Sequence, residues 1–189
     1  MPHSQEGLNL SDARLIEGAR QGDVSQFGEF VRRHQDRLAA ILINLLGSQE
    51  DAEDVAQEAF IRFYSSLSRF RGEAQPGTYL VRIAINLAND ALRRRQRQHF
   101  PLLPFKESPE TSSLKVEGMA VVDKRERQRA VQKALMALKP EQRSVAVLRL
   151  ILEYSTDETA RTLGIRPGTV MSRLSRASAQ LRKLLVSQV

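Results

Sequence analysis

Apolar residues recur at spacings of three and four along almost the whole chain, the period of a helix with one face turned inward. Alternating β-branched runs and Asn-Gly or Asp-Gly hairpin turns are missing, so the pattern predicts an all-α fold. Ser11 is placed to cap a short helix ending near Gly22. A longer helix follows from about Val24 to Leu46, with Gly47 as its stop, and Ser48 opens the next. In that third helix Ala52, Val55, Ala56, Ala59, Phe60, Phe63 and Leu67 form a buried stripe. Residues 70–79, FRGEAQPGTY, carry two glycines and a proline and read as a loop. From Thr78 to about Gln98, Leu80, Ile83, Ala84, Leu87 and Ala91 make the apolar face, leaving Arg82, Asn86, Asn89, Asp90, Arg93 and Arg97 outward.

The helical pattern lapses between His99 and Val122, where Pro101, Pro104 and Pro109 are followed by Ser108, Thr111, Ser112 and Ser113. This composition reads as a flexible linker, although Leu102, Leu103 and Phe105 could dock on a surface. Periodicity resumes near Asp123. One helix runs to about Leu138, and Pro140 starts another whose core face is Leu148, Ile151 and Leu152. Two small helical domains on a tether are therefore expected, over 8–98 and 123–189, with the linker at 99–122.

Residues 155–184 have the form of a helix-turn-helix. Ser155 and Glu158 make a capping box, Ala160 allows close helix approach, Gly164 ends the first helix, and Pro167 suits the first turn of the second. Val170, Leu174 and Leu181 share one stripe, whereas Thr169, Ser172, Arg173 and Arg176 lie elsewhere. From Ser155 onward six cations face two carboxylates, a balance that draws a phosphate backbone in a salt-dependent way. An amphipathic hairpin with a solvated Arg face has a similar pattern. The net charge of +7 favours a nucleic-acid partner without naming one.

One segment opposes that basic background. Glu50, Asp51, Glu53, Asp54 and Glu58 precede the first base at Arg62. Acids in a first helical turn complement the macrodipole, which accounts for Asp51 and Glu53. Asp54, Gln57 and Glu58 lie further along, where a protein partner could use them. The opposite bias closes the fourth helix, since Arg93, Arg94, Arg95 and Arg97 suit phosphates as well as a helix C-terminus.

The sequence argues against an enzyme. There is no cysteine, P-loop, GxSxG or HExxH, and His3, His34 and His99 are isolated, so catalytic groups, metal and cofactor are all expected to be absent. No secretory signal and no apolar run of about 20 residues is present, which suggests a soluble protein.

Taken together, DAEDVAQEAFIRFY (51–64), FRGEAQPGTYLVRIAINLANDALRRR (70–95), ALMALKPEQRSVAVLRL (134–150) and GIRPGTVMSRLSRASAQLRKLL (164–185) resemble, in order and spacing, the extracytoplasmic-function sigma factors. These are bacterial initiation factors that recruit RNA polymerase to promoters. The resemblance implies that Asp54, Gln57 and Glu58, with Phe60 beneath them, dock on core RNA polymerase. It implies that the loop from Arg71 to Gly77 holds a base flipped from the non-template strand, that Asn86 and Asp90 line that site, and that Arg82, Arg93, Arg94 and Arg97 meet promoter DNA phosphates around the minus-10 element. Arg166, Pro167, Gly168, Thr169, Ser172, Arg173 and Arg176 would enter the major groove at the minus-35 element. A further implied partner is an anti-sigma factor, commonly membrane-bound, that sequesters the protein. The expected location is the cytoplasm, at the inner membrane where such a partner holds it. Three departures stand out: Met171 where the family usually has Lys or Arg, Tyr79 for a frequent Trp, and AQPG at 74–77. A stand-alone helix-turn-helix regulator is the alternative, separable by whether core polymerase subunits are captured.

Overall fold

The computed structural model describes residues 10–72, 74–98 and 119–186, so the docking expected of Leu102, Leu103 and Phe105 lies outside the described residues. The described residues are helical and contain no strand. In chain order they form α1 (Asp12–Arg20), α2 (Val24–Leu46), α3 (Gln49–Ser66) with a 3₁₀ turn at Leu67–Arg69, and α4 (Pro76–Gln98). They continue with α5 (Met119–Met136), α6 (Pro140–Ala146) running into a π turn at Val147–Ile151, α7 (Thr156–Leu163) and α8 (Pro167–Val186).

The helix starts follow local chemistry. The Ser11 hydroxyl accepts the Arg14 amide, Asp23 accepts the amides of Ser25 and Gln26, and Ser48 accepts that of Asp51. Each satisfies an amide that has no partner inside its own helix. Gly47 ends α2 at φ 78°, a left-handed conformation costly for residues with a Cβ.

α1 to α4 pack around an aromatic cluster centred on Phe63. Its ring lies 5.4 Å from Phe30, 5.6 Å from Phe70, 5.4 Å from Tyr79 and 6.2 Å from Phe27. Phe70 and Tyr79 also meet at 5.2 Å, so both ends of the 71–78 segment are pinned to the core. His34 is structural: its Nε2 lies 2.6 Å from Asp12 Oδ2 and its ring 4.4 Å from Phe30.

Four expectations shift. α4 begins at Pro76, inside the expected loop, and α5 at Met119, ahead of Asp123, because both segments contain residues compatible with a first helical turn. The inward face of α4 is wider than the stripe: Val81, Ile85 and Ala88 are buried with Leu80 and Ala84, while Ile83, Leu87 and Ala91 are only partly buried. The cause is that α4 has helices on two sides, α2 and α3 on one and α6 and α7 on the other. Ile151, expected in the core, is exposed, because the extra residue of the π turn rotates the end of the segment after Leu148 outward.

The two helical units share one apolar core, with polar contacts around it. Arg143, on α6, is 3% exposed, and its guanidinium donates from Nε to Leu135 O (2.8 Å), from Nη2 to Met136 O (2.7 Å) and Leu138 O (3.1 Å), and from Nη1 to Leu45 O (2.6 Å). The carbonyls of Leu135 and Met136 close α5, that of Leu138 belongs to the turn after it, and that of Leu45 closes α2. Gln132 Nε2 donates to Ile43 O at 2.9 Å beside it. Toward α4, Arg93 Nη2 donates to Glu141 Oε1 at 3.0 Å, and the Ser144 hydroxyl lies 3.2 Å from Asn89 Oδ1. Arg37 donates to the Tyr154 hydroxyl at 2.7 Å, with its guanidinium 5.4 Å from that ring's centre.

Replacing Arg143 by Lys keeps the charge but loses the fork, and is expected to lower stability by about 2–3 kcal/mol in urea unfolding followed by helical circular dichroism. A change below about 0.5 kcal/mol, the ordinary surface level, would contradict the role given to the guanidinium. A second prediction concerns Glu141, whose carboxyl is held below its ordinary value of 4.5 chiefly by the Arg93 hydrogen bond. A lowered carboxylate pKa contributes stability that is complete above the ordinary value and is lost as pH falls through the lowered one. The contact between the units should therefore loosen on acidification below about 4.5, and Glu141→Gln should loosen it at neutral pH and flatten that dependence. The chain has no cysteine, so dyes attached through Ser65→Cys and Ser175→Cys report the separation by energy transfer.

Candidate nucleic-acid and protein interfaces

On α3 the residues expected at a protein partner divide by depth. Asp54 and Gln57 are exposed, and Glu58 is half-buried and paired with Arg62 at 2.6 Å. Phe60 is only 9% exposed and belongs to the core, so it supports this face without being offered by it. Ile61 is offered instead. It is 60% exposed and stands three and four residues beyond Glu58 and Gln57, on the same side of the helix. Tyr64 is also exposed and meets Phe27 at 4.8 Å. The face is thus acidic with an apolar end, a composition suited to a protein surface carrying both cationic and apolar groups. Ile61 stands off the inward stripe that Phe60 and Phe63 define, and an isolated Ile off such a stripe is the one sequence signal of its exposure.

The second group of expected residues does not form one continuous site. The segment containing Arg71, Gly72 and Ala74–Gly77 opens on a cavity of about 790 Å³ between the two units. Its walls include Arg20, Arg37, Tyr154, Glu158 and Arg161. Asn86 and Asp90 are exposed on α4, and lie about 15–20 Å along the helix from its start, too far to share that cavity. Arg94 is exposed, and Arg95 pairs with Asp51. Arg97 falls on the last turn of α4, and its side chain lies outside the described residues.

Three members of this region are engaged within the chain. Arg93 bridges to Glu141 and lies 3.6 Å from Asp90, and Asn89 takes up the Ser144 hydroxyl. Arg82 lies against Gly164, where a Cβ would sit 2.8 Å from Nη2. Gly164 has φ 65°, so it serves both the left-handed end of α7 and the approach of Arg82.

The helix-turn-helix forms as its local chemistry dictates. Ser155 and Glu158 satisfy each other's amides in a capping box, at 3.1 and 2.7 Å. Those contacts, the Ser155 hydroxyl first, hold the Glu158 carboxyl below its ordinary range. Before α7, Glu153 adopts φ 56°, and Arg149 donates to Tyr154 O, which turns the chain toward Arg37. Val170 and Ala177 fix the inward side of α8. Arg166, Pro167, Gly168, Ser172 and Arg176 are exposed together, and Thr169 is half-buried. Arg173 is half-buried as well. Among the described residues no group of His, Cys, Asp and Glu is arranged to hold a metal ion, and no helix is long and apolar enough to cross a membrane.

Arg143 was not singled out from the sequence, since nothing marks one arginine of a basic chain as buried. Its pKa is lowered to about 10 by burial, which leaves it a cation at neutral pH.

Comparison with known proteins gives this arrangement its context. Residues 30–98 match the family described as Sigma-70 region 2, and residues 128–181 that described as Sigma-70, region 4. The chain is 34% identical over 175 residues to the ECF RNA polymerase sigma factor SigM of Mycobacterium tuberculosis, covering 93% of this chain and 85% of that one. It is 37% identical over 174 residues to SigE of Mycolicibacterium smegmatis, covering 87% of this chain but only 63% of the relative's length. The solved structure of CnrH in complex with the cytosolic domain of CnrY superposes with a TM-score of 0.70 at 26% identity, covering 94% of this chain and 99% of that one. The paired regions, their order and the fold agree, and the chain belongs to the extracytoplasmic-function family of RNA polymerase sigma factors, initiation factors with no catalytic chemistry of their own.

Proposed function

We propose that this sigma factor divides its work between two faces: the acidic-apolar side of α3 for core RNA polymerase and the outward side of α8 for the minus-35 element. The observation that carries the proposal is the separation of charge. Asp54 and Glu58, with Gln57 and Ile61, make an acidic surface in a chain of net charge +7, whereas α4, α5 and the helix-turn-helix each carry more bases than acids. An acidic face repels DNA and attracts a basic protein surface, whereas a basic helix-turn-helix does the reverse. Core polymerase supplies the chemistry of RNA synthesis, and the sigma factor supplies promoter choice and strand opening. The anti-sigma factor NepR is found on the sigma factor RpoE of Bartonella quintana, a solved protein of this fold, and an anti-sigma factor that withholds this chain from polymerase is its third partner. We place the protein in the cytoplasm.

The polymerase- and minus-10-binding unit is assigned to 8–98, the connection to 99–122 and the minus-35 unit to 123–189, with α5 reaching back to Met119. At the minus-10 element, Arg71, Arg82, Arg93, Arg94 and Arg97 are assigned to the backbone and Asn86 and Asp90 to exposed base edges. Use of Arg82 and Arg93 requires their present contacts with Gly164 and Glu141 to be exchanged for phosphate. At the minus-35 element, Arg166, Pro167, Gly168, Thr169, Ser172, Arg173 and Arg176 line the approach, with exposed Arg176 the candidate for guanine O6 and N7.

In transcription reconstituted with core polymerase, Asp54→Lys combined with Ile61→Asp should weaken core binding at least tenfold, leaving helical content and melting unchanged; unaltered core affinity would remove α3 from the interface. Arg94→Ala should weaken promoter complexes across sequences and reduce the salt slope by about one, whereas Arg176→Ala should alter preference among minus-35 variants by about 1–3 kcal/mol at one position. An equal effect of Arg176→Ala on every variant would make it a phosphate contact.

A further inference from the structure

We propose that Met171 is a specificity residue: its thioether side chain packs on the C5-methyl of a thymine in the minus-35 element. This rests on the reading of α8 as the minus-35 helix and adds to it a base and a chemical group.

The inward side of α8 is set by Val170 and Ala177, both fully buried, with Leu174 and Leu181 partly buried beside them. A helical advance of about 100° per residue then puts Gly168, Ser172, Ser175 and Ala179 directly opposite, with Met171 on one flank of that arc and Arg176 on the other. All six of these positions are exposed. Met171 is the one large apolar side chain among them, at 56% exposure, in the fifth position of the helix. In a docked helix-turn-helix the N-terminal part of the second helix faces base edges, so Met171 stands within the part of α8 that reads sequence.

Two further features point to a base rather than to solvent. The Met171 sulfur lies 3.6 Å from the Thr156 hydroxyl on the first turn of α7, so the otherwise flexible side chain is steadied by the preceding helix. Its chemistry also restricts its partner. A thioether carries no donor for guanine O6 and no charge for a phosphate, and the apolar feature that the major groove presents on a base edge is the thymine methyl. Arg176 lies on the other flank of the same outward arc and Arg166 just precedes the helix, so this region of the surface draws DNA rather than a cationic protein.

The test uses holoenzyme assembled from the full chain and core polymerase, on a promoter whose minus-35 element has been located by transcript start mapping. Each thymidine in that element is replaced singly by deoxyuridine, which removes the methyl and leaves every hydrogen-bonding group in place. At one position the natural chain should lose about three- to fivefold in promoter-complex affinity, the scale of one buried methyl. Met171→Ala should lose a similar factor on the thymidine template and respond to deoxyuridine there by less than about 1.5-fold. Met171→Leu should keep part of the methyl effect, and Arg176→Ala should keep all of it.

Indifference of the natural chain to every deoxyuridine overturns the proposal, as does a full methyl effect surviving in Met171→Ala. A loss in Met171→Ala that is equal on templates with and without the minus-35 element also overturns it, and would assign Met171 to a protein contact. Failure of the underlying reading is distinct: scrambling the minus-35 element would then change nothing for the natural chain.

Discussion

A helix ends in carbonyls that its own backbone cannot satisfy, and the arrangement of this molecule depends on how one arginine answers two such ends together. α2 finishes in Leu45, Leu46 and Gly47 with no basic residue in its last turn, and α5 finishes only a few residues before α6. Arg143 donates to carbonyls of both, placing its positive charge at two negative helix termini. Burial opposes the charged form, which is why its pKa falls to about 10, yet four carbonyl acceptors within 3.1 Å replace the lost water. Because Arg143 sits on α6, the same fixed point aims Glu141 and Ser144 at α4.

That geometry ties fold to function through shared residues. Arg93, Asn89 and Arg82 occupy the side of α4 assigned to promoter DNA, and in this arrangement each touches the helix-turn-helix unit. An exposed Arg–Glu pair is worth at most about 1 kcal/mol, so exchange of Glu141 for a phosphate is energetically easy at Arg93. The apolar part is less easily exchanged, since Leu135, Leu138, Val147 and Leu148 belong to one continuous core with the buried residues of α2 and α4. Separation of the units exposes that surface unless a larger partner covers it, which is a physical reason for the chain to act mounted on polymerase.

The features legible in the sequence were those that depend on neighbours in the chain. Ser11, Ser48, Ser155 with Glu158, Gly47 and Gly164 all act within one helical turn, and each stands where its pattern put it. Features that depend on distant packing were not legible. Period alone gives α4 one inward stripe, but a helix sandwiched between two layers buries a wider arc, and Asn89 became half-buried as a result. A π turn adds one residue to a turn without any marker in composition, which turned Ile151 outward. Burial of Arg143 needed three helix ends to meet, and no local pattern announces such a meeting. On α3 the acidic face was readable from charge contrast, whereas the exchange of Phe60 for Ile61 as its apolar member required knowing the depth of each.

A chain with this much positive charge faces a separate constraint, because arginines on phosphates raise affinity for every sequence alike. Selectivity must come from the few side chains that meet base edges, and their number on α8 is small. Arg173 is half-buried, and the Ser172 hydroxyl donates to Thr169 O at 3.1 Å within its own helix. What remains exposed on the two flanks of the outward arc is one long donor, Arg176, and one large apolar group, Met171. In the roles proposed for them these two select different features of a base pair, guanine acceptors and a thymine methyl, and such a combination discriminates among sequences that either alone would accept.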